Sequence, residues 1–365
     1  MIVARAAVLR GRGTAFEIEG IAVGEPRPHE VLVRVVAVGV CHTDLLVRDG
    51  VLPPPVPVVL GHEGSGVVAA VGDAVTGLAV GDRVVLSPSS CGRCANCRGG
   101  HPMNCATWGP LNLRGRRPDG STAYRDAAGQ ELNGHFFGQS SFAEHVVVHE
   151  RNVVPVGDRD VPLDLLGPLG CGVQTGAGAV LEVLRPSAGS SLLVLGAGAV
   201  GLSAVMAARV AGCTTVVVSD PNEERLALAE HLGATHVHPA PDDLATRVVA
   251  ATGGGVDAAV DAVGLPATTR TALDAVRAGG TAVVAGSAGA GREVAVNMTQ
   301  LMTRTLRGVI EGDCVPALLI PRLLDLHLAG RFPFDELVRR YAFDEINKAV
   351  EDSEAGRTVK PVLVF

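Results

Sequence analysis

Leu192-Leu-Val-Leu-Gly196-Ala-Gly198-Ala-Val200-Gly201 is the stretch that decides the fold of this 365-residue chain. Four apolar residues run straight into G-x-G-x-x-G, and small apolar residues with helical character follow from Ala199. In that order each glycine has its own duty. Gly196 permits a tight turn, Gly198 lets backbone approach a pyrophosphate, and Gly201 lets strand and helix pack closely. The helix start then offers free N–H groups and a positive dipole end to phosphates. A second apolar run, Thr215–Ser219, ends at Asp220, nineteen residues after Gly201. A carboxylate there accepts hydrogen bonds from adenosine ribose hydroxyls and repels a 2′-phosphate, which predicts NAD over NADP. Arg225 follows five residues on, and an arginine can also serve a 2′-phosphate. Without a ligand, the same residues read as a glycine-rich turn with a capping aspartate.

Outward from this stretch the texture continues. From about residue 170, strand-like and helix-like runs alternate: 192–195, a helix from Ala199, Thr215–Ser219, a helix from Asn222, then 256–260 and 281–285. That alternation predicts an α/β fold with a doubly wound parallel sheet, the Rossmann arrangement. Residues 190–219 hold Arg209 as their only charge, and length alone would allow a membrane helix. Gly196, Gly198, Gly201 and Gly212 divide the run, so it reads as a buried strand–helix–strand. Residues 1–90 differ. Short β-rich runs (31–38, 66–71, Arg83–Leu86) alternate with turns at Gly72-Asp73 and Gly81-Asp82, which predicts a mainly antiparallel β domain. Residues 106–135 are polar and Gly/Arg-rich and read as a surface excursion, with a strand returning at 142–148. After Val309 come an amphipathic helix near 317–329 and a last strand at 359–365. The expected division is 1–172 with 309–365 as one domain and 173–308 as a nucleotide domain.

Composition narrows the function classes. Hydrophobic residues make up 47% and charged ones 19%, which supports a large core and argues against disorder. Net charge is −7 with no long basic run, so nucleic acid is not an expected partner. No signal peptide, anchor or lipidation motif is read, and a cytoplasmic protein without a membrane partner is expected.

Cys91-Gly-Arg-Cys94-Ala-Asn-Cys97 is closed by Cys105, a C-x2-C-x2-C-x7-C spacing. Thiolates at that density can wrap one tetrahedral ion, and zinc is the usual choice for four sulfurs. Disulfides and an iron–sulfur cluster are the rival readings. Cys41, His62 and Cys171 can also bind metal, but their spacing alone does not join them. A lone histidine or cysteine is more often buried and inert.

Several motifs together resemble the zinc-containing medium-chain alcohol dehydrogenases. They are Gly61-His62-Glu63-x2-Gly66-x5-Gly72-x2-Val75, Cys41-His42-Thr43-Asp44, the cysteine lobe 91–105, the turn 196–201 and Asp220, in order along essentially the whole chain. The resemblance implies a GroES-like β catalytic domain beside the nucleotide domain, and two Zn2+ per chain. One would be structural, on Cys91, Cys94, Cys97 and Cys105, and one catalytic, on Cys41, His62 and Cys171. Glu63 would lie behind the catalytic ion as an occasional ligand, and Asp44 would orient His62. Thr43 would take the alcohol proton. His42 and Lys360 look like pyrophosphate contacts, with ordinary surface charge as the plainer reading, and Thr175 like a residue near the nicotinamide.

Many members of the family carry a histidine three residues after the relay Ser/Thr. Here that position is Leu46, so the relay must end at Thr43 and the cofactor ribose, or use water. Three segments resemble the benzyl (aryl) alcohol branch: Phe136-Phe137-Gly-Gln-Ser-Ser-Phe142-Ala-Glu-His145, Cys171-Gly-Val-Gln-Thr175 and Gly330-Arg-Phe-Pro-Phe334. Trp108, Phe136 and Phe137 would line an apolar channel, or merely pack the loop. The expected reaction is reversible hydride transfer from a primary aryl or medium-chain alcohol to NAD, in a homodimer or homotetramer. The alternatives are a dehydrogenase for hydroxymethyl adducts of a small thiol, held by Arg114, Arg116 and Arg117, and a non-catalytic NAD-binding homologue.

Overall fold

The computed structural model describes every residue of the chain except 288 and 290. The chain divides into two units. The first comprises Met1–Cys171, Val315–Leu324 and Leu337–Phe365; the second comprises Gly172–Cys314 and Asp325–Glu336.

The second unit is built on a six-stranded sheet. Its order is His236–His238, Thr215–Ser219, Ser191–Leu195, Val256–Asp261, Val276–Val284 and Thr305–Gly308. Every neighbouring pair is parallel. Leu192, Leu193 and Val194 are fully buried, which explains why their run is apolar without alternation: both faces of the sheet are covered. Helix Ala199–Ala211 opens at Gly198 and closes at Gly212, which takes a left-handed φ of 85° and donates back to Ala208 and Arg209 carbonyls. Helix Glu223–Leu232 starts at Asn222, whose side chain accepts from Arg225 N–H, and carries Glu223 and Glu224 in its first turn.

Segment 309–314 belongs with this unit, because Val309 N–H continues the sheet by donating to Val284 O (2.9 Å). Residues 325–336 join it too: the His327 ring sits 4.7 Å from that of Phe334, and Arg331 donates to Val210 O (3.4 Å). The units therefore differ from a cut at 308/309 in both places. Helical periodicity near 317–329 reports burial but not the surface a helix end packs against.

The first unit holds a seven-stranded sheet centred on Glu30–Gly39, which pairs antiparallel with Gly64–Val71, His145–His149 and Lys360–Val364. A four-stranded sheet contains Ile2–Leu9 and Glu17–Val23. Residues 106–135 are less exposed than their polarity suggests. They hold helix Trp108–Leu113, the buried Tyr124, whose hydroxyl donates to Gln139 O (3.0 Å), and the buried Arg117, which forks onto Glu30 through two 2.7 Å bonds. Pairing lets polar groups enter a core that composition alone would deny them. Among the described residues no helix is long and apolar enough to cross a membrane.

Gly201 shows how tightly strand and helix meet. A Cβ there would lie against Gly196 O, well inside the 3.0 Å that real Cβ atoms keep, whereas a Cβ on Gly198 would meet no protein atom within 4 Å. Gly201→Ala is therefore expected to cost about 3 kcal/mol or more, and Gly198→Ala to stay within about 0.5 kcal/mol. Urea unfolding of the two variants checks the contrast; equal midpoints would contradict it.

Candidate functional site

Three distant segments of the first unit converge. Cys41 follows the strand Glu30–Gly39 and caps helix His42–Arg48. His62 follows Gly61, whose φ of 85° turns the chain after the short strand Val58–Val59; a Cβ on Gly61 would overlap Phe142 N. Cys171 follows the turn Gly167–Gly170, where a Cβ on Gly170 would overlap Leu86 O. These bare backbone positions let the donor atoms of Cys41, His62, Glu63 and Cys171 all come within 4.8 Å of one another.

Asp44 organises the group. It is fully buried and accepts from Cys41 N (3.1 Å), Gly61 N (3.0 Å) and His62 Nδ1 (3.1 Å). An ionised carboxylate only accepts, so Nδ1 carries the proton and Nε2 keeps its lone pair. His62 Nε2 is buried without a hydrogen-bond partner, and so is Glu63 Oε2. Orphaned buried acceptors are rare and call for an explanation. Two such acceptors beside two thiols form a donor set for a cation that takes N, S and O ligands, as zinc does. The local field agrees. Burial opposes a charge on His62, yet Asp44 and Cys41 push its pKa well above the ordinary value. A hydrogen bond from Cys171, aided by His62 and Lys360 against burial, pulls the Cys41 thiol well down. A group that would hold an extra proton there is short of positive charge.

Lys360 lies inside this cluster. It is 3% exposed, and its Nζ donates to Glu63 Oε1 (2.8 Å) and Val40 O (3.3 Å). Burial works against its charge, but Glu63, Cys41 and Cys171 outweigh that and raise its pKa. Burial likewise raises that of Glu63, with Lys360 opposing. The ammonium is thus the counter-charge of the Glu63 carboxylate. Strand Lys360–Val364 puts it there, by pairing Val362 with Gly39. His42, by contrast, is exposed on the helix that Cys41 caps. Thr43 is half-buried with its hydroxyl 3.7 Å from Cys41 Sγ, and Leu46 lies one turn further along.

Two features of the cluster lie in or beside the segment 136–145 that resembles the aryl alcohol branch, and sequence reading assigned Gln139 no role. Gln139 is fully buried; its Nε2 donates to His62 O (2.9 Å) and its Oε1 accepts from Gly64 N (3.1 Å) and Ser141 Oγ (2.5 Å). It splints the backbone on both sides of the His62-Glu63 pair. The Phe137 ring stacks on His62 at 4.4 Å, Phe136 meets it edge-on at 5.5 Å, and Trp108 stands edge-on to Phe137 at 5.5 Å. The aromatic rings are the ones the sequence reading offered for an apolar channel; here they close on the imidazole.

Cys91, Cys94, Cys97 and Cys105 form the second donor group, again within 4.8 Å of one another. Cys91 and Cys97 sulfurs are 3.9 Å apart. A tetrahedron with zinc–sulfur bonds of about 2.3 Å has edges of about 3.8 Å. Amides hold the sulfurs: Cys91 Sγ accepts from Arg93 N (3.5 Å) and Cys94 N (3.3 Å), and Cys105 Sγ from Cys91 N (3.3 Å). Those first two bonds bring the Cys91 thiol down to about 6, while burial pushes Cys97 up to about 12. All eight cysteines are free thiols, which sets aside the disulfide reading. The lobe fits one tetrahedral ion.

In the second unit, Asp220 is 5% exposed; it accepts from Ala197 N (2.7 Å) and Asn222 N (2.8 Å) and so ties the glycine turn to its own strand end. A carboxylate has about four lone-pair sites, so capacity remains for sugar hydroxyls. Gly196 has a φ of 90°, and Val200 lies in the first turn of helix Ala199–Ala211. Arg225 has a buried Nε without a hydrogen-bond partner. Thr175 donates to Glu311 (3.4 Å), which also accepts from Gln174 (2.9 Å). The open space at Gly198 is the cradle that a pyrophosphate would fill.

Because Asp44 fixes the His62 ring and two backbone amides at once, Asp44→Asn is expected to weaken metal binding at the Cys41 group about 10- to 100-fold. The four-cysteine lobe should keep its ion. Metal analysis after dialysis against a chelator should fall from two ions per chain toward one; an unchanged content would refute the role given to Asp44.

Comparison with known proteins agrees with this geometry. Residues 27–158 match the alcohol dehydrogenase GroES-like domain, and residues 199–326 match the zinc-binding dehydrogenase domain. The chain is 50% identical to geraniol dehydrogenase of Castellaniella defragrans, over 100% of this chain and 98% of that one. The crystal structure of benzyl alcohol dehydrogenase from Acinetobacter calcoaceticus superposes with a TM-score of 0.96 at 44% identity, covering 100% of both chains. A zinc-binding dehydrogenase from Sinorhizobium meliloti 1021, solved bound to NADP, gives a TM-score of 0.80 at 27% identity, again over 100% of both. With both domain models matched in order, and relatives aligned from end to end, the chain belongs to the zinc-containing medium-chain alcohol dehydrogenase family.

Proposed function

We propose that this alcohol dehydrogenase oxidises a primary alcohol with an aryl or medium-length apolar body to the aldehyde, reversibly, using NAD. The observation that carries the reading is the buried Cys41–His62–Cys171 group, whose orphaned His62 Nε2 lies under the ring of Phe137. Cys41, His62 and Cys171 hold the catalytic zinc, with Glu63 as an occasional ligand, and the four-cysteine lobe holds the structural one. When bound, zinc supplies Lewis acidity to the alcohol oxygen and NAD supplies the hydride acceptor.

The chain's own residues do the rest. Asp44 sets the tautomer of His62, and Lys360 neutralises Glu63 so that the thiolates do not face an uncompensated carboxylate. We assign Lys360 this duty in place of a pyrophosphate contact, which exposed His42 keeps. Thr43 takes the alcohol proton. Phe137 and Trp108 present the apolar wall against which the substrate body packs. The two named relatives support that choice, since benzyl alcohol and geraniol are both primary alcohols with apolar bodies.

NAD is favoured because the Asp220 carboxylate sits at the turn and would repel a 2′-phosphate. We assign Thr175 to the nicotinamide, Arg225 to the adenosine, and Gly196, Gly198, Val200 and Gly201 to the pyrophosphate. Among the described residues, strand Thr305–Gly308 ends the sheet with an unpaired edge, and the neighbouring Met298, Met302 and Ile310 are exposed. A second copy pairing there would give the homodimer, alone or within a tetramer. We retain a cytoplasmic location as the expectation from the sequence.

The thiol-adduct alternative loses ground on its own arginines. Arg117 is committed to Glu30, and Arg116 to Glu131 (2.6 Å) and Asn133 (2.8 Å), leaving Arg114. NAD reduction should therefore be most efficient with benzyl alcohol or hexanol, lower with ethanol, and lower still with hydroxymethyl-thiol adducts or with NADP. Turnover confined to thiol adducts would replace this reading. No turnover with any of these alcohols in protein holding two zinc ions would make the substrate reading wrong, whereas one zinc per chain would favour the non-catalytic homologue.

The absence of a relay histidine gives a second expectation. With Leu46 the proton must leave Thr43 through the ribose or water, so kcat/KM should climb steeply toward alkaline pH. A histidine placed there acts as a base once neutral, above a pKa of about 6.5. Leu46→His should raise kcat/KM about tenfold near neutral pH and flatten the profile; an unchanged pH–rate profile would remove the relay argument.

A further inference from the structure

We propose that the first unit carries a second binding site, separate from the alcohol site, for a multiply charged small organic anion. The site is a 480 Å³ cavity beside the cysteine lobe, lined by Arg93, Arg114, Arg116, Arg117, Arg151 and Glu30 among others. This proposal does not rest on the choice of alcohol or of cofactor.

Charge is the first argument. Glu30 is already taken by the buried Arg117, and Arg116 is turned to Glu131. Arg93, Arg114 and Arg151 have no carboxylate partner among the described residues; Arg151 donates to the Cys91 carbonyl (3.4 Å). Three uncompensated guanidinium groups thus ring one hollow, in a chain whose net charge is −7. All three are solvent-exposed, and like charges gathered around one concavity repel one another and raise the local concentration of anions. Guanidinium forks match carboxylate and phosphate oxygens in pairs, whereas a lone chloride satisfies them poorly.

Hydrogen-bond donors are the second argument. His135 and His149 also line the cavity. His135 Nε2 accepts from Ala123 N (3.2 Å), and His149 Nδ1 accepts from Arg151 N (3.2 Å). His149 therefore carries its proton on Nε2 and is a donor there, whereas His135 gives its own proton to the Val147 backbone and serves as wall. Burial followed by Arg151 lowers the pKa of His149, so it stays a neutral donor at physiological pH. Pro110, Leu111 and Pro118 supply an apolar wall. Size and lining together suit a ligand with a carbon body carrying two or more negative charges, such as a sugar phosphate or a polycarboxylate.

Placement is the third argument. Gly138 lines the cavity, and it ends the turn whose Phe137 stacks on His62. Cys91 lines it as well, and Arg151 holds the Cys91 carbonyl. An anion drawing Arg93 and Arg151 together would brace the lobe without entering the Cys41 group.

The experiment that decides this is titration calorimetry on the zinc-loaded full chain in 0.15 M NaCl with inorganic phosphate, pyrophosphate, citrate, glucose 6-phosphate and, as the neutral control, glucose. At least one multiply charged organic anion should bind at one per chain, with glucose giving no heat. Arg93→Ala and Arg114→Ala should each weaken it about tenfold or more, a charge-assisted bond being lost. Arg93→Ala keeps the amide bond to Cys91 Sγ, and Arg98→Ala, outside the cavity, serves as the control that should leave binding unchanged. Saturating anion should also slow loss of the lobe's zinc to a chelator and leave affinity for the alcohol untouched. No binding by any of the anions would overturn the proposal, as would binding that survives both substitutions. Competition with the alcohol would make the cavity part of the substrate site and overturn the separate-site claim.

Discussion

One buried carboxylate holds the catalytic half of this molecule together. Asp44 receives the Cys41 amide, the Gly61 amide and the His62 ring, and so fixes two of the three residues proposed to hold the metal. An aspartate with no exposure is costly unless all its bonds are made. Here three donors satisfy it, and the one nitrogen they leave free is the His62 Nε2 that faces the thiols. Gln139 repeats the device from the other side by gripping the His62 carbonyl and the Gly64 amide. Packing completes it, with Phe136 and Phe137 closing on the imidazole.

That constraint explains why the β unit is built as it is. The central strand Glu30–Gly39 delivers Cys41 just past its end and receives Lys360 from the last strand of the chain. The two charges most expensive to bury, Glu63 and Lys360, are paired at 2.8 Å in the same place. Such a pair contributes little net stability, since desolvation offsets attraction. Its effect is to set the field at the thiols. The nucleotide unit is simpler to assemble. It needs a parallel sheet, one glycine turn and one aspartate anchored to that turn's own backbone.

Legibility in the sequence follows distance along the chain. The turn at Gly196–Gly201 and the lobe from Cys91 to Cys105 are local, so spacing alone exposes their chemistry. Cys41, His62 and Cys171 lie far apart, and only the resemblance joined them. The Lys360–Glu63 pair links the first part of the chain to its last strand, so a local reading offered Lys360 a pyrophosphate contact and did not see the carboxylate beside which the pairing of Val362 with Gly39 puts it. Arg117 misled in the same way, because a polar, Gly/Arg-rich segment hides the one arginine that finds a buried partner. Gln139 stands inside the branch segment, but nothing local tells that it grips the backbone around His62. Each miss is a polar residue whose burial depends on a partner that a local reading does not see.

The central claim is that this chain holds two chemically different metal centres, one of four sulfurs and one of mixed donors. X-ray absorption at the zinc edge of the loaded protein tests it most directly. The account predicts two zinc ions per chain and an averaged shell of about three sulfurs near 2.3 Å with one nitrogen or oxygen near 2.0–2.1 Å. A shell of four sulfurs alone, with one zinc per chain, would leave the lobe standing and contradict the metal centre on which the proposed chemistry depends.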